Sequence, residues 1–169
     1  MKAVILAGGA GGRLRPMSLG TPKPMLPLLG RPVMEHTIAL LRRHGFTQLY
    51  VALGSRDQEI RAFFGDGTRL GVELTYVKEE EPLGTAGSVR HCLPHLGEED
   101  FLVMGGGCVC DLDLSRAVEV HRQMAPAATL VLSRRPDPPE YGLVVADGAG
   151  QVQGFVDKPD WSQVGTSLV

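Results

Sequence analysis

The chain has 169 residues and a mass of 18.1 kDa, enough for one domain and too little for two independent cores. Its 43% hydrophobic and 21% charged residues make an ordinary globular mixture and exclude a disordered chain, a collagen and a coiled coil. A net charge of −2 and a pI near 6.2 give no basic field for tracking a phosphate backbone, so general nucleic-acid binding is disfavoured and any phosphate affinity must be local.

The opening run MKAVILAGG stops at Gly8 and Gly9, short of the roughly 17–20 residues that a membrane span needs, and reads as a buried strand over Lys2 to Ala7. No later segment reaches that length and no signal peptide is legible, which predicts a cytoplasmic protein without a membrane partner. Cys92, Cys108 and Cys110 are an odd set in a chain large enough to need no disulfide staples, so reduced thiols are expected. Pro32 to His44 reads as a helix with Met34, Ile38 and Leu41 as its apolar stripe and Gly45 as its stop. Strands are expected at Gln48 to Leu53, Val72 to Tyr76, Phe101 to Met104 and Ala128 to Ser133. Helices are expected at Asp57 to Phe64, at Ala86 to His95 with Thr85 as cap, and at Leu114 to Met124. Alternating strands and helices argue for parallel strands with crossover helices in three layers, and Gly142 to Ala146 with Gln151 to Val156 reads as an antiparallel hairpin appended to them. From Asp157 the chain turns polar and reaches Val169 without closing another element, so residues 1–169 read as a single domain cut at its C-terminal end, with an exposed sheet edge open to homo-oligomer formation.

Two loops carry local positive charge. GGAGGRLRP, from Gly8 to Pro16, follows a buried strand, and its glycines can turn several backbone N–H groups toward one anion while Arg13 and Arg15 add guanidinium forks. The glycines alone do not separate such a nest from a tight structural turn. A dinucleotide fingerprint would put its third glycine at Leu14, and no GK[ST] follows as a P-loop requires. In TPKP two prolines are expected to hold an extended segment that points the ammonium of Lys23.

Together GGAGGRLRP, TPKPMLPLLGRPVMEH, EEEPLGTAGS, YGLVV and FVDKP resemble the sugar-phosphate nucleotidyltransferases, in order and over nearly the whole chain. EPLGTAG is most similar to the mannose-1-phosphate guanylyltransferase (GDP-mannose pyrophosphorylase) branch, which includes forms fused to a phosphohexomutase. The resemblance implies a three-layer Rossmann-like nucleotide-diphospho-sugar transferase fold, mostly parallel with a C-terminal β-hairpin. It also implies a reaction joining a nucleoside triphosphate, here GTP, to a sugar 1-phosphate, here mannose 1-phosphate, with release of pyrophosphate.

Carried over by position, it gives Leu6, Ala7, Gly8 and Gly9 to base and ribose, Gly11 and Arg13 to the triphosphate, and Lys23 to the phosphates. Arg13 and Lys23 would neutralise charge during transfer, a step that needs no protein nucleophile. In the acidic run from Glu79, Glu81 is preferred over Glu80 as the acceptor for guanine N–H groups, and Gly84 and Thr85 would let backbone approach base or sugar. Gly142 resembles the family's sugar-contacting glycine and Lys158 its sugar-phosphate lysine.

The family generally uses Mg²⁺, and this sequence departs from its pattern where the metal would be held. Gly107 stands at the place of a metal-holding aspartate, Gly12 replaces a threonine beside Arg13, and a second metal aspartate would lie beyond Val169. Mg²⁺ is commonly held by one or two carboxylates plus phosphates, so the sequence predicts weak metal binding and little turnover, with Asp111 or Asp113 as the nearest substitutes. The rival reading is a non-catalytic nucleotide-sugar-binding or regulatory module. A zinc site from Cys108, Cys110, His91, Cys92 and His95 lacks a second spaced pair, and Cys108 and Cys110 are expected to be buried thiols.

Overall fold

Burial on both faces organises the first part of the chain around one short strand. In the computed structural model, which describes residues 1–9, 14, 16, 18, 20–55, 57–134, 141–157, 159–160, 162, 164–166 and 168–169, β1 (Lys2–Leu6) has Ala3, Val4 and Ile5 fully buried. The chain divides into two compact units, Met1–Ser115 and Arg116–Val169.

In the first unit a two-residue hairpin, β2 (Pro27–Leu28) and β3 (Arg31–Pro32), precedes α1 (Val33–Arg43). Then follow β4 (Gln48–Leu53), α2 (Asp57–Phe64), β5 (Glu73–Lys78), α3 (Gly84–Leu96) and β6 (Phe101–Gly105). The sheet order is β5-β4-β1-β6, every pair parallel. From β1 the chain therefore steps outward to β4 and β5, then crosses back to β6 on the other side of β1. Right-handed crossovers put the connections of opposite direction on opposite faces of the sheet. On the α3 side, Val4, Ala52 and Val77 pack with Cys92 and Leu96. Strand alternation sends Ala3, Ile5, Leu49, Val51 and Leu53 to the other face, all of them buried, as are Met34, Ile38 and Leu41 of α1.

Several boundaries differ from the sequence reading for identifiable reasons. Thr85 is not a cap: α3 starts at Gly84, with Leu83 at the cap position and no side chain capping it. Lys23 is not in an extended segment, because Lys23–Met25 forms a 3₁₀ turn closed by the Met25 N–H donating to the Pro22 carbonyl at 2.8 Å. The β2–β3 hairpin escapes a search for longer strands; its turn has Leu29 at φ 51° and Gly30 at φ 77°, a left-handed pair suited to a two-residue connection. The third parallel strand is displaced to Glu73–Lys78, where its register with β4 runs unbroken.

The second unit holds most of α4 (Leu114–Met124) and the antiparallel pair β7 (Leu143–Ala146) and β8 (Val152–Val156), the hairpin expected from sequence. The strand expected at Ala128 to Ser133 is absent. That segment makes only a terminal attachment, with Ser133 and Val169 exchanging two backbone hydrogen bonds of 2.9 Å beside an Arg134–Leu168 bridge. Leu130 and Val131 remain about half exposed, so the β propensity of this stretch has no ladder to join among the described residues. No helix of the described residues is long and apolar enough to cross a membrane.

Ile5 sits fully buried in the central strand, and Ile5→Ala should cost about 2–5 kcal/mol, read as a lowered denaturation midpoint with an unchanged slope. At the hairpin turn the Asp147 carboxylate accepts from the backbone N–H groups of Ala149 and Gln151 and from the Gln153 amide. These bonds hold its pKa below the ordinary 3.8, the Gln151 N–H foremost. Their stabilising effect is complete above the unfolded value and is lost as pH falls through the lowered one. The protection of the Ala149 and Gln151 amides, their exchange rate relative to the intrinsic rate at each pH, should fall only on that acid side, and Asp147→Asn should flatten the dependence.

Candidate active site

The reversal of strand order between β1 and β6 marks where an open parallel sheet leaves a crevice, outside the carboxyl ends of those two strands. The residues there follow from register. Leu6 pairs with Ala52 and Gly105, and Leu53 with Lys78. The ladder continues past the strands, since the N–H groups of Ala7, Gly106 and Glu79 donate to the carbonyls of Ala52, Leu6 and Leu53 at 2.8–2.9 Å. Two residues beyond Leu6, Glu79, Gly54 and Gly8 lie side by side, whereas β6 ends at Gly105 and the chain turns through Gly106 and Gly107, the Cys108 N–H donating to the Gly105 carbonyl at 3.2 Å.

Gly8 and Gly54 make this row a bare backbone floor, and close approach explains them. A Cβ on Gly8 would lie 3.2 Å from the Gly54 nitrogen, and one on Gly54 would lie 3.0 Å from the Gly8 carbonyl oxygen. A Cβ on Gly106 would stand 2.9 Å from Cγ2 of Ile5, so this glycine lets the end of β6 close on β1. Gly8 and Gly9 are exposed, Ala7 is buried and Leu6 is partly buried. Their exposed backbone could meet a flat ligand group without side-chain obstruction.

The two ends of the row carry opposite charge. At the β6 end the aliphatic stem of Lys23 lies over Gly107, where an added Cβ would come within 2.7 Å of Cε, 2.8 Å of Cδ and 2.9 Å of Cγ. Pro24, buried beside it, and the 3₁₀ turn fix the lysine's backbone. At the β5 end Glu79 is only 6% exposed, and its Oε2 lies 3.7 Å from where a Gly8 Cβ would be. Oε2 accepts the Leu83 N–H at 3.5 Å, while Oε1 is buried with no partner among the described residues. Sequence reasoning passed over Glu79 for its neighbours, yet alternation along β5 signals it. Glu79 has the parity of buried Val77 and so continues the α3 side of the sheet, whereas Glu80 and Glu81 are exposed.

Gly84, at φ 70°, and Thr85 open the first turn of α3, both exposed. Gly142 belongs to the second unit, beside Asp157 at the open end of the hairpin, and a Cβ there would meet Asp157 Oδ1 at an ordinary 3.9 Å. Gly11, Gly12, Arg13 and Lys158 lie outside the described residues.

The residues at the end of β6 do not fit a divalent metal. Gly107 has no ligand atom on a side chain and is covered by a cation's stem. The acids that follow are led away: the Thr37 hydroxyl donates to the Cys108 carbonyl at 3.0 Å, and Asp113 Oδ1 lies 3.7 Å from Nδ1 of His44, the residue that caps the carboxyl end of α1 seven positions on. The carboxyl end of α1 adjoins the amino end of β4, so the chain from Cys108 to Asp113 runs about 10 Å along the helix toward the amino ends of the strands. Asp113 therefore cannot stand in for an aspartate at Gly107. His44, Asp113 and Ser115 do not form a hydrolytic triad either, because Ser115 and Asp113 share one ring nitrogen and Nε2 is buried with no partner among the described residues.

The zinc alternative finds no support. His95 stacks on Tyr50, His91 Nε2 lies 3.2 Å from the Lys78 carbonyl, and no group of three or more His, Cys, Asp or Glu among the described residues could hold a metal. No cysteine is in a disulfide, as expected, but Cys108 is exposed and Cys110 partly so, against the expectation of buried thiols; their segment leaves the sheet for the surface of α1. Cys92 is buried in the core, and burial, with the Glu79 charge adding to it, pushes its thiol pKa up.

A buried carboxylate oxygen without a partner costs about 1–3 kcal/mol. Glu79→Gln, which keeps size and removes charge, should leave the melting temperature unchanged or raised, as read by thermal unfolding. A melting temperature lowered by several degrees would show that the fold depends on the Glu79 charge.

Comparison with known proteins shows the family and the fold. A UTP–glucose-1-phosphate uridylyltransferase of Synechocystis sp. is 38% identical over 172 aligned residues, covering 94% of this chain and 44% of the relative. A mannose-1-phosphate guanylyltransferase of Mycobacterium tuberculosis is 35% identical over 158 residues, again 94% of this chain and 44% of the relative. A crystal structure from Bacillus anthracis, assigned as a glucose-1-phosphate thymidylyltransferase, superposes with a TM-score of 0.90 at 26% identity, over 100% of this chain and 68% of that one. The chain thus spans less than half the length of these curated relatives. The family model described as nucleotidyl transferase matches residues 2–168, and the chain belongs to that family.

Proposed function

We propose that the protein binds GTP and mannose 1-phosphate and carries out the transfer that joins them, the sugar-phosphate oxygen attacking the α-phosphorus as the bond to pyrophosphate breaks. The observation that carries this reading is the bare backbone floor of Glu79, Gly54 and Gly8 at the switch point, with the Glu79 carboxylate on the β5 side and the stem of Lys23 over Gly107, in the turn that follows β6. Such a floor suits a flat base and ribose, and a cation on the β6 side suits phosphates. Leu6, Ala7, Gly8 and Gly9 would lie under the base and ribose, with Arg13, Gly11 and Lys23 toward the triphosphate. Glu81, Gly84 and Thr85 would approach the base from the start of α3. Gly142 and Lys158 would serve the sugar phosphate.

Guanine is favoured because the acidic run offers acceptors to its N–H groups, and relatives named as guanylyltransferases stand among the similar proteins. Since others are named for uridylyl and thymidylyl transfer, base and sugar remain properties to be measured on this chain. The protein's part in the reaction is positioning and neutralising charge. A divalent cation would add charge neutralisation at the phosphates, but Gly107 under Lys23 offers it no ligand, and turnover should be slow. That same observation favours a second reading, in which the protein binds nucleotide or nucleotide-sugar without turning it over.

Calorimetry should give a heat for GTP or GDP-mannose, with UTP and dTTP weaker. Pyrophosphate release from GTP and mannose 1-phosphate should be slower in the protein as sequenced than in Gly107→Asp extended past Val169. Stronger binding of dTTP would overturn the guanylyl assignment, and no heat from any nucleotide would overturn both readings. Robust turnover by the unmodified 169-residue chain would contradict the role given to Gly107.

A further inference from the structure

The chain that leaves the turn after β6 carries two thiols two residues apart. Cys108 is exposed and Cys110 partly so, and neither is in a disulfide. Val109 between them is 54% exposed, so its side chain has no core packing to lose if the backbone bends there. All three residues lie outside any helix, strand or turn, and no ladder among the described residues holds them straight. Two residues of extended chain span up to about 7 Å between Cα atoms, whereas a disulfide draws those atoms to about 5.5–6 Å, so ring closure needs a bend at Val109. A tie from α1 opposes that bend. Thr37, only 1% exposed, donates its hydroxyl to the Cys108 carbonyl at 3.0 Å, and this carbonyl belongs to the peptide that must turn. The donor is well anchored, because Met34, Ile38 and Leu41 of the same helix are fully buried.

We propose that Cys108 and Cys110 form a redox-active dithiol, held in its open form by the Thr37 hydroxyl and closed to an intramolecular disulfide by exchange with a small-molecule disulfide. Access sets the order of the two steps. The thiolate of Cys108, the more exposed of the two, attacks one sulfur of the small disulfide. That S–S bond breaks, a mixed disulfide forms at Cys108 and one small thiolate leaves. The Cys110 thiolate then attacks the Cys108 sulfur, and the second small thiolate leaves. Two protein thiols are thus oxidised by two electrons, the small disulfide is reduced to two thiols, and the two protons lost by the protein end on them. Cys92 takes no part, because it is buried in the core and its thiol pKa is pushed up. The ring closes one residue past Gly107, and its formation does not depend on what the crevice binds.

The test is equilibration of the folded 169-residue protein in buffers of graded glutathione to glutathione disulfide ratio, then acid quenching, alkylation of the remaining thiols and peptide mass spectrometry. Thermal unfolding is run beside each variant. The wild type should form one Cys108–Cys110 disulfide, with Cys92 recovered as the alkylated thiol. Cys110→Ser should accumulate a mixed disulfide at Cys108, and Cys108→Ser should be modified at Cys110 more slowly. Thr37→Val, which keeps shape and deletes the hydroxyl, should shift the equilibrium toward the disulfide by about two- to tenfold, the worth of one hydrogen bond. Thr37→Ala should shift it the same way, and Thr37→Ser, which keeps a hydroxyl, should stay near the wild-type ratio. Wild-type thiols that remain reduced at the most oxidising ratio, mixed disulfides at both positions without ring closure, or a bridge to Cys92 overturn the proposal. Faster modification of Cys110 than of Cys108 overturns it as well. So does an equilibrium that Thr37→Val and Thr37→Ala leave unchanged, or that Thr37→Ser shifts as far as they do.

Discussion

The close approach of four backbone segments beyond the carboxyl ends of their strands is the constraint on which the rest of the site depends. With Gly8 and Gly54 separated by little more than van der Waals contact, and Gly106 tucked against Ile5 and Ala7, the sheet holds its register past the last paired residues. A single methyl on Gly8 or Gly54 would press on a neighbouring backbone atom, which has nowhere to move without parting the strands. Packing thus fixes the floor, and the floor fixes where charge can stand. Glu79 closes one side because β5 parity turns it inward, and Lys23 closes the other because Gly107 leaves room for its stem.

The opposed charges at the two ends give the row a direction. An unpartnered carboxylate oxygen is costly to bury and is best satisfied by a donor brought in by a ligand, whereas the ammonium calls for an anion. A nucleotide carries both features at suitable ends, N–H donors on the base and oxygens on the phosphates. The family is generally divalent-metal dependent. On the proposed reading the Lys23 ammonium would supply charge neutralisation at the phosphates, while Gly107 would offer a divalent cation no side-chain ligand.

Much of this was legible in the sequence, for reasons that differ by residue. The buried runs AVIL and QLYVAL announce interior parallel strands because both faces are covered, and the stripe Met34, Ile38 and Leu41 announces α1 by its period. The hairpin of β7 and β8 was legible from its turn residues. The glycine loops marked the right edge of the sheet. What the sequence did not disclose was register: the row of Glu79, Gly54 and Gly8 joins residues far apart in the chain, and only pairing sets them level. For the same reason burial within the acidic run was hidden from the sequence: Glu81 is exposed while Glu79 is buried. The stretch at Leu130 and Val131 shows the converse limit, since strand propensity without a neighbouring ladder leaves apolar side chains in solvent.

A crystal structure of the protein grown with GTP in the presence of EDTA tests the central claim most directly. The account predicts phosphate oxygens within hydrogen-bond distance of Lys23 Nζ, the base or ribose lying across Gly8 and Gly54, and a donor group facing Glu79. A nucleotide bound elsewhere, or one seated in the crevice with its phosphates turned away from Lys23, would contradict it.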